Sequence, residues 1–322
     1  MISVDYFIVG AGIIGLSVAK ELKARRPKSK VLVLEKEPVP GLHSSGRNSG
    51  VLHSGIYYPP DSLKAKVCRQ GSLEMAAYCK ERKLPLNQIG KILLPLNADD
   101  AHQLDLMEDR APKNGVLVHR LDRKALSKKE PEARSATGEA LFVPGTSVGD
   151  SSAVINSIYN ECLLAGIEVK CSSVISQVDI SKKKVQLSDG TQLIYGHLIN
   201  ASGLHADSVA HQFSVGKKYT LLPFKGIYWK LSPDSGIRVN HLIYPVPDLR
   251  VPFLGVHTTT SIDGNVYLGP TAVPAFGREN YRGLEGVTVS ELLRITNLLI
   301  KQTISGKDGF RRLAWQEGRR YF

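Results

Sequence analysis

The chain opens with Gly10-Ala11-Gly12-Ile13-Ile14-Gly15, set between an apolar run and a segment of helical periodicity. No other stretch restricts the fold as strongly. Val4-Asp5-Tyr6-Phe7-Ile8-Val9 is short, β-branched and aromatic, and reads as a buried strand. Ile13, Ile14, Leu16, Val18, Ala19 and Leu22 recur at helical spacings, and the segment ends in basic residues just before Pro27. Val31-Leu32-Val33-Leu34 supplies a second apolar strand, so the opening predicts a βαβ unit with parallel strands. In that setting Gly10 and Gly12 permit a tight turn and close backbone approach to a pyrophosphate, and Gly15 lets the helix pack against the strand. The helix N-terminus offers N–H groups and a positive dipole end to phosphate. Glu35 ends the second strand, where a carboxylate accepts hydrogen bonds from an adenosine ribose. The competing reading is a glycine-rich turn in another α/β protein with Glu35 solvated. Agreement of glycines, flanking elements and acid favours a dinucleotide and leaves NAD and FAD undecided.

Beyond this unit, helices are expected over Leu63 to Lys83, Ala98 to Arg110, Ser151 to Ala165 and Val289 to Thr303. Strands are expected at Lys91 to Leu96, Val174 to Ile180, Lys184 to Leu187 and Gln192 to Asn200, with Asp189-Gly190 as a hairpin turn, and then through a strand-rich stretch from Tyr219 to Pro270. At 322 residues and 42% hydrophobic, two domains are the default. The net charge of +12 is scattered through the chain, and Lys182-Lys183-Lys184 lies beside a hairpin turn. Solubility and attraction for small acids explain it better than nucleic acid, which is not expected as a partner. Cys68, Cys79, Cys162 and Cys171 form no CxxC pair, so neither a structural metal nor a disulfide framework is expected. No apolar run reaches the roughly 18 to 20 residues that span a bilayer, and the N-terminus enters a strand at once. The expectation is a cytoplasmic protein, with peripheral attachment to the inner membrane left open.

Cofactor and substrate come from resemblance. His43-Ser44-Ser45-Gly46-Arg47-Asn48-Ser49-Gly50-Val51-Leu52-His53-Ser54-Gly55-Ile56-Tyr57-Tyr58, followed by Ser62-Leu63-Lys64-Ala65-Lys66, resembles the flavin-contacting segment of the L-2-hydroxyglutarate dehydrogenases and oxidases. That family lies within the D-amino-acid-oxidase-like FAD-dependent oxidoreductases. Asn200-Ala201-Ser202-Gly203, Tyr244-Pro245-Val246-Pro247-Asp248, Pro252-Phe253-Leu254-Gly255-Val256-His257 and Leu268-Gly269-Pro270 are similar to the same family. The resemblance implies an α/β fold, α+β overall. A Rossmann-like FAD-binding domain, residues 1–85 and 145–215, would be joined to a substrate domain on a mixed or antiparallel sheet, residues 86–144 and 216–322. Family members continue past the point where this chain stops, with a glycine-containing flavin loop and a closing helix, which implies C-terminal truncation. Where Lys225 follows Pro223-Phe224, the family commonly has Arg, whose forked donors bind carboxylates in a way an ammonium does not.

The implied reaction is oxidation of L-2-hydroxyglutarate to 2-oxoglutarate, hydride going to FAD and the hydroxyl proton to a base, with the reduced cofactor reoxidised by a quinone, another carrier or oxygen. Other enzyme readings within the fold are amino-acid or glycerol-3-phosphate oxidation, and the competitor from another functional class is a catalytically silent, truncated FAD-binding fragment. His53 and His257 are the candidate catalytic residues because imidazole titrates near neutrality. His53 is open between base, flavin contact and buried structural histidine, and His257 between substrate contact and core. Tyr57, Lys225 and Tyr244 are candidate donors to a dicarboxylate, whose buried charges need partners; ordinary packing is the alternative for each. Gly10, Gly12, Gly15, Glu35, Ser44, Ser45, Asn48 and Gly203 are the candidate cofactor-binding residues, although the polar ones sit in a loop whose own backbone they also suit.

Overall fold

The computed structural model describes residues 1–247, 255–306, 309–311 and 315. The chain divides into two compact units, one of residues 1–48 and 151–221, the other of residues 49–150 and 222–322.

The first unit is built on a six-stranded sheet. Ile2–Val9 lies between Gln192–Asn200 and Val31–Leu34, both parallel to it, and Glu168–Lys170 extends the parallel set beyond Val31–Leu34. Ile175–Asp179 and Lys184–Leu187 complete the other edge as antiparallel strands. Phe7, Ile8, Leu32 and Val33 are fully buried, as central parallel strands covered on both faces require. Each such side chain contributes ~1.5–3 kcal/mol. The helices Ile13–Arg25 and Ser151–Leu164 pack together, with Cys162 Sγ 3.5 Å from the Leu16 carbonyl oxygen. This is the expected Rossmann-like α/β arrangement.

The second unit carries a seven-stranded mixed sheet in the order Phe224–Lys230, Val266–Pro274, His257–Thr260, Leu242–Pro245, Lys91–Leu94, Ala140–Val143, His119–Leu121. Among the described residues, only the pairing of Leu242–Pro245 with Lys91–Leu94 is parallel in this sheet. A three-stranded sheet joins Val51–Leu52 and Leu86–Asn87 to the two sides of Ser147–Gly149. The compact units divide at a different place from the expected boundary. Residues 49–85, including the helix Leu63–Glu81, belong with the mixed-sheet unit, and the division falls after Asn48 instead of near residue 85. Two-residue strands leave no periodic signal, so only their partners reveal them.

One buried carboxylate ties distant segments of this unit. Glu130, fully buried at the end of the helix Arg123–Lys129, accepts the backbone N–H groups of Asn240 and His241, both at 2.9 Å, and lies 3.1 Å from His241 Nδ1. Glu130→Ala leaves those donors unmatched and is expected to cost ~3–5 kcal/mol in a urea titration. A loss below ~1 kcal/mol would show that water replaces the carboxylate.

Candidate functional site

In the first unit the glycine-rich turn is a preformed cradle. Gly10 has φ +106°, and a Cβ there would stand 2.4 Å from the Ala201 carbonyl oxygen. A Cβ on Gly12 would meet Ser45 Oγ at 2.9 Å, and one on Gly15 would meet the Gly10 carbonyl oxygen at 1.9 Å. Glycine is therefore enforced at Gly10 and Gly15 by the protein's own backbone, whereas at Gly12 the close neighbour is a serine hydroxyl that can turn aside. Ser45 Oγ accepts from the Ile13 N–H at 3.0 Å, and the first helical turn carries no acidic residue to neutralise its positive end. Glu35 is buried; one oxygen accepts from Ala11 N–H at 2.8 Å and the other from Glu37 N–H at 3.0 Å. A carboxylate has about four lone-pair directions, so both oxygens keep capacity for hydroxyl donors. Tight turn, open helix end and acid together fit an adenine dinucleotide.

Three expectations for this unit are refined. Gly203 has φ +53° with nothing among the described residues within 4 Å of where a Cβ would stand, so it serves a left-handed turn; the close backbone approach belongs to Ala201. The Asn48 amide donates to the carbonyl oxygens of Ser44 at 3.1 Å and Ser45 at 2.7 Å, bracing its own loop. Ser44 is exposed there, and Ser45 is the serine that reaches the helix.

The second unit gathers most of the chemistry. The antiparallel register that pairs Ile243 with Thr258 sets Tyr244 opposite His257, and their rings stack at 3.8 Å with an interplanar angle of 24°. Parallel register places Leu93 beside Tyr244 and Lys91 beside Leu242. Residues in register, and residues two apart on a strand, share a face, so Lys91 projects to the same side as Tyr244. Its ammonium lies 5.3 Å from the Tyr244 ring centroid and 4.3 Å from that of Tyr57, and donates to Tyr57 Oη at 3.1 Å. His53 presents an edge to Tyr244, with centroids 6.0 Å apart. Tyr57 is fixed from behind by Arg110, which donates to its carbonyl oxygen at 2.7 Å, while Asn114 donates to Gly55 and Tyr58.

Burial sets the electrostatics. His53 is pushed down to about 3, by burial first and then by the charges of Lys91 and His257. Its Nδ1 is buried without a hydrogen-bond partner among the described residues. His257 is also lowered by burial; its Nδ1 donates to the Gly255 carbonyl oxygen at 2.9 Å, which fixes the neutral tautomer with Nε2 as acceptor. Tyr57 is raised well above the ordinary phenol value and Tyr244 to about 12, both by burial. Thus the two imidazoles are neutral and the two phenols protonated at neutral pH.

Lys225 stands apart from this group: its Nζ donates to Asn280 Oδ1 at 2.9 Å on the edge strand Phe224–Lys230. The apolar lead-in to His257 at Val251 to Leu254, together with Asp248, lies outside the described residues. Lys91 escapes sequence reasoning altogether. A lysine opening Lys91-Ile92-Leu93-Leu94 reads as a solvated strand end, yet it is 0% exposed. Burial lowers it to about 7, opposed among the described residues by the Cys68 thiol.

That shift makes stability depend on pH. An unfolded lysine keeps its ordinary value near 10.5, so between about 7 and about 10.5 the unfolded chain binds more protons and stability rises with pH. The cost of burying the amine is complete below about 7 and vanishes above about 10.5. Lys91→Met is therefore expected to stabilise the protein by ~1–4 kcal/mol near neutrality, the gain shrinking as pH rises, in urea titrations across that range. A variant destabilised at neutral pH would mean the amine is well matched in its pocket.

The FAD dependent oxidoreductase family model matches residues 5–316. L-2-hydroxyglutarate dehydrogenase of Bos taurus, a mitochondrial enzyme, is 35% identical over 294 residues, covering 87% of this chain and 63% of the relative. The enzyme of the same name from Escherichia coli K12 is 36% identical over 283 residues, covering 86% and 66%. The chain thus spans slightly less than two thirds of these relatives. Among solved structures, L-alpha-glycerophosphate oxidase from Mycoplasma pneumoniae, with FAD bound, aligns with TM-score 0.74 at 23% identity over 92% of this chain and 78% of that one. Glycine oxidase from Geobacillus kaustophilus aligns at 0.71 and 18% identity, over 94% and 78%. At such identities these two speak for the fold alone. With the dinucleotide cradle and the mixed-sheet unit agreeing with a family match that runs almost from end to end, the chain belongs to the FAD dependent oxidoreductases.

Proposed function

We propose that the protein oxidises L-2-hydroxyglutarate to 2-oxoglutarate with FAD as cofactor. The reading is carried by the similarity, at 35–36% identity over most of the chain, to mammalian and bacterial enzymes bearing that name. Gly10 to Gly15, Glu35 and Ser45 would hold the dinucleotide, through backbone approach, ribose hydroxyls and the helix end. When bound, FAD supplies the hydride acceptor.

The chain's own residues supply proton transfer and substrate binding. His53 is neutral and has an unspent ring nitrogen, the form that accepts a hydroxyl proton. His257 offers Nε2 as an acceptor from a fixed ring. Tyr57 and Tyr244 remain protonated and so can donate to carboxylate oxygens. Tyr244 and Tyr57 pack with the apolar cluster of Ile56, Leu93, Leu141 and Val143, and so low-dielectric a setting strengthens each of these contacts.

The test is anaerobic addition of L-2-hydroxyglutarate, its D-enantiomer, glycerol 3-phosphate and L-amino acids in turn to the purified yellow protein. Bleaching by the first alone is expected. Bleaching by a different compound overturns the substrate, and a colourless protein that takes up no FAD overturns the cofactor assignment.

A further inference from the structure

Lys91 is fully buried, and among the described residues it faces no carboxylate. An isolated ammonium in an apolar interior is costly unless a partner arrives. One of its three N–H donors is spent on Tyr57 Oη, and its charge rests against the Tyr57 and Tyr244 rings. An ammonium only donates, so the Tyr57 oxygen is the acceptor in that bond and its own hydrogen points elsewhere. No described residue accepts that hydrogen.

From this arrangement we infer that Lys91 is a positioning residue for anion recognition: it holds the Tyr57 oxygen and turns the phenolic hydrogen toward a carboxylate oxygen of the bound substrate. The cluster is then a carboxylate subsite with a buried counter-charge one bond behind the donor. This rests on the dicarboxylate substrate proposed above. It makes binding and protonation linked, since the arriving anion stabilises charged Lys91. The groups facing Lys91 come from the loop bearing His53 and Tyr57, the helix bearing Cys68 and the strands bearing Tyr244 and His257. Burial pushes the Cys68 thiol and both phenols up and both imidazoles down. Lys91, lowered to about 7, titrates near neutrality.

Calorimetric titration with 2-oxoglutarate, which reads binding without turnover, tests this in the purified protein, Lys91→Met, Tyr57→Phe and the double variant. Expected are a roughly tenfold loss of affinity in each single variant and no further loss in the double, because the two act through one contact. The unsubstituted protein should also bind roughly tenfold more weakly at about pH 9 than at about pH 6, and Lys91→Met should be flat over that range. Additive losses, an unchanged affinity in Lys91→Met, a pH dependence that survives it, or no binding of 2-oxoglutarate by the unsubstituted protein would each overturn the inference. Thermal unfolding of each variant separates loss of the contact from loss of the fold. If L-2-hydroxyglutarate bleaches the flavin while Lys91→Met binds normally, the inference fails and the function stands. If Lys91 and Tyr57 govern dicarboxylate binding but no bleaching follows, the function fails and the inference stands.

Discussion

Gly10→Ala is expected to destabilise the protein by ~3–5 kcal/mol and to yield a chain that no longer retains FAD. The first cause is backbone strain: φ +106° lies outside even the left-handed region that non-glycine residues visit, which costs ~1–3 kcal/mol. The second is steric, because the new methyl would sit 2.4 Å from the carbonyl oxygen of Ala201. That oxygen belongs to backbone held on both sides of the turn. Ala201 N–H donates to the Val9 carbonyl at 2.9 Å, and Gly10 N–H donates to that of Leu34 at 2.7 Å. Relief of the clash breaks one of these bonds or opens the junction of Ile2–Val9 with Gln192–Asn200. Gly203→Ala is the control, since its φ of +53° is accessible to alanine and the space around it is open. It should cost ~1 kcal/mol and leave the flavin in place. Urea titrations and flavin absorbance of both purified variants decide the matter; equal effects would show that the close approach of Ala201 is not what demands Gly10.

On the proposed function, His53→Gln is expected to lower kcat for L-2-hydroxyglutarate oxidation by ~10²–10⁴-fold with a much smaller change in KM, as loss of a base felt mainly in the transition state requires. The depressed value of about 3 fixes the sign of the accompanying pH dependence: His53 is neutral and competent above it and is lost as a base only below it. The acid limb of kcat/KM for the free enzyme should therefore lie well below the ordinary histidine value of about 6.5. The proposed dicarboxylate substrate would oppose the repulsion from Lys91 and His257, so the limb seen in kcat should move upward relative to that in kcat/KM. A kcat within about tenfold of the unsubstituted enzyme would remove His53 from proton transfer. An acid limb near 6.5 in kcat/KM would mean that burial does not control its titration.

Gly10 and His53 become visible by different routes. Gly10, Gly12, Gly15 and Glu35 announce themselves in the sequence because a βαβ unit is local. Its apolar strands, its helix and its glycine punctuation all fall within the first 35 residues, and the expected strand Val31–Leu34 is the observed one. Helices over Leu63–Glu81, Ser151–Leu164 and Val289–Ser305 are legible for the same reason, since a helix is decided by residues three and four apart. His53, Tyr57, Tyr244 and His257 stand out one by one through resemblance, without any sign that they meet.

What local pattern cannot carry is pairing. The short strands Val51–Leu52 and Leu86–Asn87 exist only because they find Ser147–Gly149 from far away along the chain. Ala201, not Gly203, closes on Gly10 because parallel register brings Asn200 beside Val9. Lys225 goes to Asn280 instead of the tyrosines because its strand lies at the far edge of the mixed sheet. Lys91 is the sharpest case. One charge in an apolar run is locally indistinguishable from a solvated strand end, and only the register of Lys91–Leu94 with Leu242–Pro245 encloses it between two phenol rings. Contiguous residues are enough to specify the nucleotide-binding turn and the family, because each of those signals is complete within a short stretch of chain. Which side chains share a buried face is settled only when the strands pair, because burial and its effect on charge are properties of contacts between segments far apart in the chain.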